Sequence, residues 1–337
     1  MFHFDAGAVC MNFAHYLKQI GRGAEGPADL SEHDAYQLFS AVLDGGIPEL
    51  ELGALLLALH VKSESLPELL GFHSALDERL ARLRAPAGKT MPVVLPSYNG
   101  AREQPNLLPL LALLLQRFGV PVLVHGALNS GGRVASAYIF RELGVMPCAT
   151  LAQAQDALDA SGIAFVPTAV LAPGLAATLS LRGRLGVRSS AHVVAKLIDP
   201  FGGESLRIVS AWYLAHLETL RGVLVATGAN ALLLRSTEGE PFADPKCRPQ
   251  LEHVCDGAAQ VLFAAEAGPL TVAPAQSTSV DAVATAAWIR RALAGEVPIP
   301  LPLVNQLACC LFAAGYTSDM NQAKAIVAVE TGSLAAA

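Results

Sequence analysis

A chain of 337 residues, 53% hydrophobic and only 15% charged, has ample apolar material for one large domain or two unequal ones. Its net charge of −6 excludes a surface coated in positive charge, so a polyanion site has to be made locally. The greasiest stretch, 107–124, is interrupted by Gln116 and Arg117 and falls short of the ~20 apolar residues of a membrane span. The N-terminus lacks the basic start and cleavage site of a secretory leader, and the six cysteines have no disulfide-rich spacing. Reduced thiols, a cytoplasmic setting and no membrane contact are the expectation. No Cys or His pairing has zinc-ligand spacing, so no metal site is expected.

In chain order, the first ~85 residues predict helices. LSEHDAYQLFSAVLDGG starts at Ser31 as an N-cap and stops at Gly45–Gly46, and ELELGALLLALHVKSES and LPELLGFHSALDERLARLR continue the pattern. MPVVLPSYNG then reads as a buried strand running into a loop. Helix LLPLLALLLQRFG, strand VPVLVHG, a Gly/Ser loop and helix RVASAYIFRELG follow. RIVSAW and GVLVATG predict two more strands, and VDAVATAAWIRRALAGE and LVNQLACCLFAAG two late helices. Strand–helix alternation implies a mainly parallel sheet. The fold class is α/β: a small N-terminal helical domain beside a larger α/β domain.

Two strand-to-helix loops lie where α/β sheets bind ligands. PSYNGAREQPNL (96–107) offers Tyr98, Asn99 and Arg102 for surface contact, with too few glycines for a phosphate cradle. HGALNSGGR (125–133) contains GxxxxG, but Gly132–Arg133 stands where a P-loop needs Lys and then Ser or Thr.

RLGVRSSAHVVAKLIDP (184–200) places Arg184, Arg188, His192 and Lys196 four residues apart. On a helix they form one stripe ~18 Å long that drifts ~40° per step. Arg182 lies just upstream, and only Asp199 is acidic between Arg182 and Pro200. A stripe without nearby acids raises a local positive potential that phosphates answer best. A solvated helix face is the plainer alternative.

The loops PSYNGAR and HGALNSGGR, the stretch RLGVRSSAHVVAKLIDPF and RSTEGEPFADPKCRPQ together resemble the anthranilate phosphoribosyltransferase family, and more closely its YbiB-like branch. The resemblance covers nearly the whole chain. It implies a nucleoside phosphorylase/phosphoribosyltransferase-like fold, with a helical domain over 1–88 joined by a returning segment near 165–185, an α/β domain over 89–337, and a homodimer made by the helical domain. Family enzymes hold a diphosphate in a GTGGD loop; Pro96, Ser97, Tyr98, Asn99 and Gly100 fill that place here. Of their KHGNR run only His125 and Gly126 remain, and their adjacent Asp–Glu pair for magnesium has no counterpart in GANALLLRSTEGEPF, where Glu238 and Glu240 look like a turn. Arg182 aligns with an arginine that contacts anthranilate.

The resulting expectation is a dismantled diphosphate pocket (Ser97, Tyr98, Asn99, Gly100, His125, Gly126), without cofactor, metal or catalytic residue. The protein would bind single-stranded DNA or RNA without sequence preference, through Arg182, Arg184, Arg188, His192 and Lys196, with Arg102 and Arg133 secondary and Tyr98 as a stacking surface. The alternative is an active phosphoribosyl transferase that uses phosphoribosyl pyrophosphate and magnesium on an unidentified acceptor. A protein-interaction module is a third class, for which the sequence offers no specific feature.

Overall fold

The computed structural model describes residues 13–21, 26–267 and 279–332. It divides into two compact units, 1–78 with 177–194, and 79–176 with 195–337. The returning segment is 177–194, which overlaps the expected 165–185 over 177–185 and starts later because residues 163–167 form a strand of the other unit.

The first unit is helical: Phe13–Ile20, Glu32–Leu43, Glu49–Lys62 and Leu66–Asp77. Ser31 caps the second of these by accepting the Asp34 N–H at 3.1 Å, as its sequence predicts. Phe39 and Phe72 stack at 4.7 Å where Glu32–Leu43 and Leu66–Asp77 pack together. Beneath them Glu68 is fully buried, accepting from Leu30 N at 2.9 Å, Ser65 N at 2.8 Å and Lys62 Nζ at 2.7 Å. Those donors satisfy a carboxylate that burial alone would penalise by several kcal/mol.

The second unit is built on a seven-stranded sheet in the order β3-β2-β1-β4-β5-β6-β7. The strands are β1 (Val93–Ser97), β2 (Val122–Gly126), β3 (Ile163–Pro167), β4 (Leu206–Ala211), β5 (Ala231–Arg235), β6 (Leu251–Cys255) and β7 (Ala258–Phe263). The first five in that order are parallel, and β6 and β7 add antiparallel at one edge. Every residue of β1, β2 and β4 is buried, as expected of parallel strands covered on both faces. The helices Leu108–Arg117 and Leu301–Ala313 bury Leu110, Leu111, Leu303 and Leu307 against Val93, Val122 and Leu232, each leucine contributing ~1.5–3 kcal/mol.

One predicted strand is wrong. GVLVATG is no strand: residues 222–226 are the last turn of the helix Leu214–Ala226, and the strand is the following ALLLR. Val223 and Leu224 are buried on the helix's inner side, so an apolar run at a helix end imitated a strand. Among the described residues no helix is long and apolar enough to cross a membrane.

Candidate functional site

Strands β1 and β2 end level, with Ser97 paired to Gly126, and their loops meet at the carboxyl edge of the sheet. Gly126 permits this: a Cβ there would lie 1.7 Å from the Ser97 carbonyl oxygen. The loop after β1 is clamped to the loop after β2 by reciprocal Ala101–Val134 hydrogen bonds of 2.9 Å each. Clamped in this way, the first loop turns a row of backbone N–H groups to one side, an arrangement that suits an anion.

The anions are the protein's own. Glu240 Oε1 accepts the N–H groups of Asn99 and Gly100 at 2.8 Å each, and its Oε2 takes the hydroxyls of Ser97 at 2.7 Å and Ser136 at 3.2 Å. Glu238 accepts the N–H groups of Arg102, Glu103 and Gln104 at 2.8, 3.0 and 2.7 Å. Both come from one two-residue turn closed by Thr237 and Glu240, with positive φ at Glu238 (50°) and Gly239 (93°). Gly239 is obligatory there, because a Cβ would sit 1.9 Å from Asn99 Nδ2, which donates to the Gly239 carbonyl at 2.7 Å. Glu240 is 1% exposed. The slot between the loop and the turn has no room for a water molecule.

Beside this plug, the Tyr98 hydroxyl donates to His125 Nδ1 at 2.8 Å and accepts from Thr168 Oγ1 at 3.3 Å. Burial pushes the His125 pKa down to about 3 and pushes the Tyr98 phenol up. His125 is thus a neutral imidazole at physiological pH, poor as a base and uncharged toward a diphosphate; its Nε2 is buried without a partner. Tyr98 is 6% exposed, so the expected stacking surface at Tyr98 does not exist. Ser97 and Asn99 are likewise buried inside the plug rather than presented to a ligand.

The basic row is not one helix. Arg182–Leu185 is a single turn that Gly186 ends in the left-handed region at φ 73°, and a new short helix, Ala191–Val194, begins after Ser189–Ser190. Arg184 is exposed and pairs with the exposed Glu49 at 3.0 Å, which raises the Arg184 pKa and lowers that of Glu49. Arg182 and Arg188 are half-buried, and His192 Nδ1 accepts the Ser189 N–H at 3.2 Å. Lys196 belongs to the other unit, where its ammonium donates to the Ser210 carbonyl at 2.7 Å. A spacing of four residues carries no shared face across a left-handed break. Arg102 is exposed beside Glu103, and Arg133 is half-exposed on the loop after β2.

Over residues 14–80 the chain matches the family described as glycosyl transferase family, helical bundle domain. It is 41% identical over 320 residues to the uncharacterized protein YbiB of Escherichia coli K12, covering 94% of this chain and 99% of that protein. The chain belongs to the YbiB branch of the anthranilate phosphoribosyltransferase family. An anthranilate phosphoribosyltransferase of Anaeromyxobacter dehalogenans is 27% identical over 312 residues, 90% of this chain and 91% of the relative. Among solved structures, the anthranilate phosphoribosyltransferase of Thermus thermophilus superposes with a TM-score of 0.75 at 23% identity, over 95% of this chain and 94% of the other. The Saccharomyces cerevisiae enzyme in complex with PRPP (phosphoribosyl pyrophosphate) and Mg gives 0.73 at 14% identity, over 95% and 93%. These likenesses establish the fold.

Residues of this YbiB-branch chain do not fit a diphosphate–magnesium group at the cradle. The backbone N–H groups are already accepted, and the lone pairs of Glu238 and Glu240 point at those N–H groups. Among the described residues no group of three His, Cys, Asp or Glu is placed to hold a metal ion. Sequence reasoning saw Glu238 and Glu240 as a turn, which they are, but missed their role along with Ser136, Asn106 and Thr168. Asn106 Nδ2 donates to Ser136 Oγ at 2.8 Å, so it orients a hydroxyl that in turn faces Glu240. The available signal was the spacing Glu-Gly-Glu: a glycine-centred turn that carries two acids where a basic or metal-bound anion site is expected.

Proposed function

We propose that this protein binds single-stranded nucleic acid through its phosphates and does not transfer phosphoribosyl groups. The observation that carries the reading is the saturation of the cradle by Glu238 and Glu240, which leaves anion binding to cationic side chains at the surface. Arg182, Arg184 and Arg188 gather within one short segment, and the Arg184–Glu49 pair lies in water, where such pairs are weak and a phosphate can replace the carboxylate.

A homodimer through the helical unit doubles that segment. Its support is the helix Glu49–Lys62, which exposes Leu50 (83%), Leu57 (47%) and Val61 (77%) along one stripe. The test is fluorescence anisotropy with a labelled oligonucleotide at several salt concentrations. Replacing Arg182, Arg184 and Arg188 together by Ala should shallow the log–log salt slope by ~0.7 for each phosphate that no longer meets an arginine. An unchanged slope refutes the reading.

The second reading is phosphoribosyl transfer to an unidentified acceptor, and the curated relatives support it. It requires the 237–240 turn to leave the cradle. Thermal stabilisation of the unaltered protein by phosphoribosyl pyrophosphate with magnesium would favour it over the first.

A further inference from the structure

The sealed cradle encloses a chemically fragile pair. Asn99–Gly100 is the only Asn-Gly sequence of the chain. In such a pair the glycine nitrogen can attack the asparagine amide carbon with no side chain in the way, closing a five-membered succinimide. The plug dictates both residues. Gly100 stands at φ 69°, and a Cβ there would lie 2.8 Å from the Val134 carbonyl oxygen and 2.9 Å from Ser130 Cβ. Asn99 supplies the amide that donates to the Gly239 carbonyl at 2.7 Å.

The closed turn restrains each atom of that reaction. Glu240 Oε1 accepts the Gly100 N–H at 2.8 Å, and a buried carboxylate so close opposes the negative charge that the nitrogen must develop to attack. The leaving amide is tied to the Gly239 carbonyl, and Asn99 is 2% exposed. The slot has no room for the water that would open a succinimide. Opening is a local event, because Gln306 anchors the chain just beyond the turn. Its Oε1 accepts the Ala243 N–H at 2.7 Å and its Nε2 donates to the Pro241 carbonyl at 2.9 Å. Lifting the turn therefore frees the Asn99 amide and the Gly100 nitrogen together.

We propose that Asn99–Gly100 is a deamidation site sealed by the 237–240 turn, and that its product keeps the turn from closing again. The Gly100 nitrogen bonds to Asn99 Cγ, the Cγ–Nδ2 bond breaks, and Nδ2 leaves as ammonia with the proton of the glycine N–H. Water then opens the ring to aspartate or isoaspartate. Aspartate sets an acceptor against the Gly239 carbonyl and a second carboxylate beside Glu240. Isoaspartate adds a methylene to the main chain between two N–H groups that share one oxygen. Either product makes a reversible opening permanent.

The full-length protein is incubated in mildly alkaline buffer, folded and in urea. Peptide mass mapping and enzymatic isoaspartate methylation follow residue 99, with the exposed Asn129 as an internal clock. Deamidation at Asn99 should be about ten-fold or more slower in the folded protein than in urea, because it waits for the open state. Asn129 should slow less, and Glu240→Ala should recover most of the urea rate at Asn99. Hydrogen exchange reads the second half of the proposal. Asn99→Asp should lose amide protection over 99–104 and keep it in the helix Leu301–Ala313, while the uncharged Asn99→Ser should lose less. The same exchange is read on unaltered protein aged until part of it carries the product, so the outcome does not depend on a variant folding. A folded-state rate at Asn99 equal to or above the urea rate overturns the seal. Aged protein with full protection over 99–104 overturns the permanent opening.

Discussion

Replacing Glu240 by Ala removes the acceptor for two backbone N–H groups and two hydroxyls at once. An unpaired buried donor costs ~1–3 kcal/mol, but the hydroxyls rotate to other partners and the vacated volume admits water. The net loss is then ~2–4 kcal/mol, or about 4–16 °C in Tm for a unit of this size. The same vacancy is an anion site, with two N–H groups and two hydroxyls aimed at it. Inorganic phosphate or pyrophosphate should therefore recover stability in Glu240→Ala, by ~1.4 kcal/mol at ten times its Kd and ~2.7 kcal/mol at a hundred times. Differential scanning fluorimetry against a pyrophosphate series, at constant ionic strength, reads both effects. Glu240→Gln keeps one acceptor oxygen for the N–H pair and should fall between the two proteins. Equal stabilisation of the unaltered protein and Glu240→Ala would refute the plug, as would a Glu240→Ala protein with unchanged Tm.

Three further outcomes follow from the same geometry. The folded-state pKa of His125, about 3, lies below its ordinary value of 6.5, so its contribution is fully present above pH 6.5 and is lost as pH falls toward 3; His125→Gln should flatten urea-unfolding stability between pH 6.5 and 4, where the native histidine otherwise costs ~1.4 kcal/mol per pH unit. Lys62→Met strips the buried Glu68 of its cation and should destabilise the helical unit by ~3–5 kcal/mol in chemical denaturation, whereas Lys62→Met with Glu68→Gln, which is neutral and still offers an acceptor to the Leu30 and Ser65 N–H groups, should recover part of the loss. Glu49→Gln leaves Arg184 without its exposed partner and should strengthen oligonucleotide binding at low salt with no change in Tm, a comparison that anisotropy and fluorimetry make directly.

Local signals carried most of the architecture. Ser31 as a cap, the β-strands ending in Ser97 and Gly126, and the apolar helix Leu301–Ala313 are each written within a few neighbouring residues. The antiparallel strands β6 and β7 were missed because β7 is largely exposed and LEHVC has only a short alternation. The site was less legible, for a physical reason: Glu240 meets Asn99 across a separation of 141 residues, and no periodicity encodes such a meeting. The basic row failed in the opposite way. Its spacing of four was real, but Gly186 took a conformation that helical spacing does not describe, and Lys196 was drawn into another unit.

The Thr237–Glu240 turn has a consequence for how such a protein lives in a cell. Where a phosphate pocket must capture a metabolite to complete its hydrogen bonds, folding and turnover respond to the supply of that metabolite. A hairpin that brings its own carboxylates completes those hydrogen bonds within the chain, so the N–H groups at this edge of the sheet are accepted without any ligand.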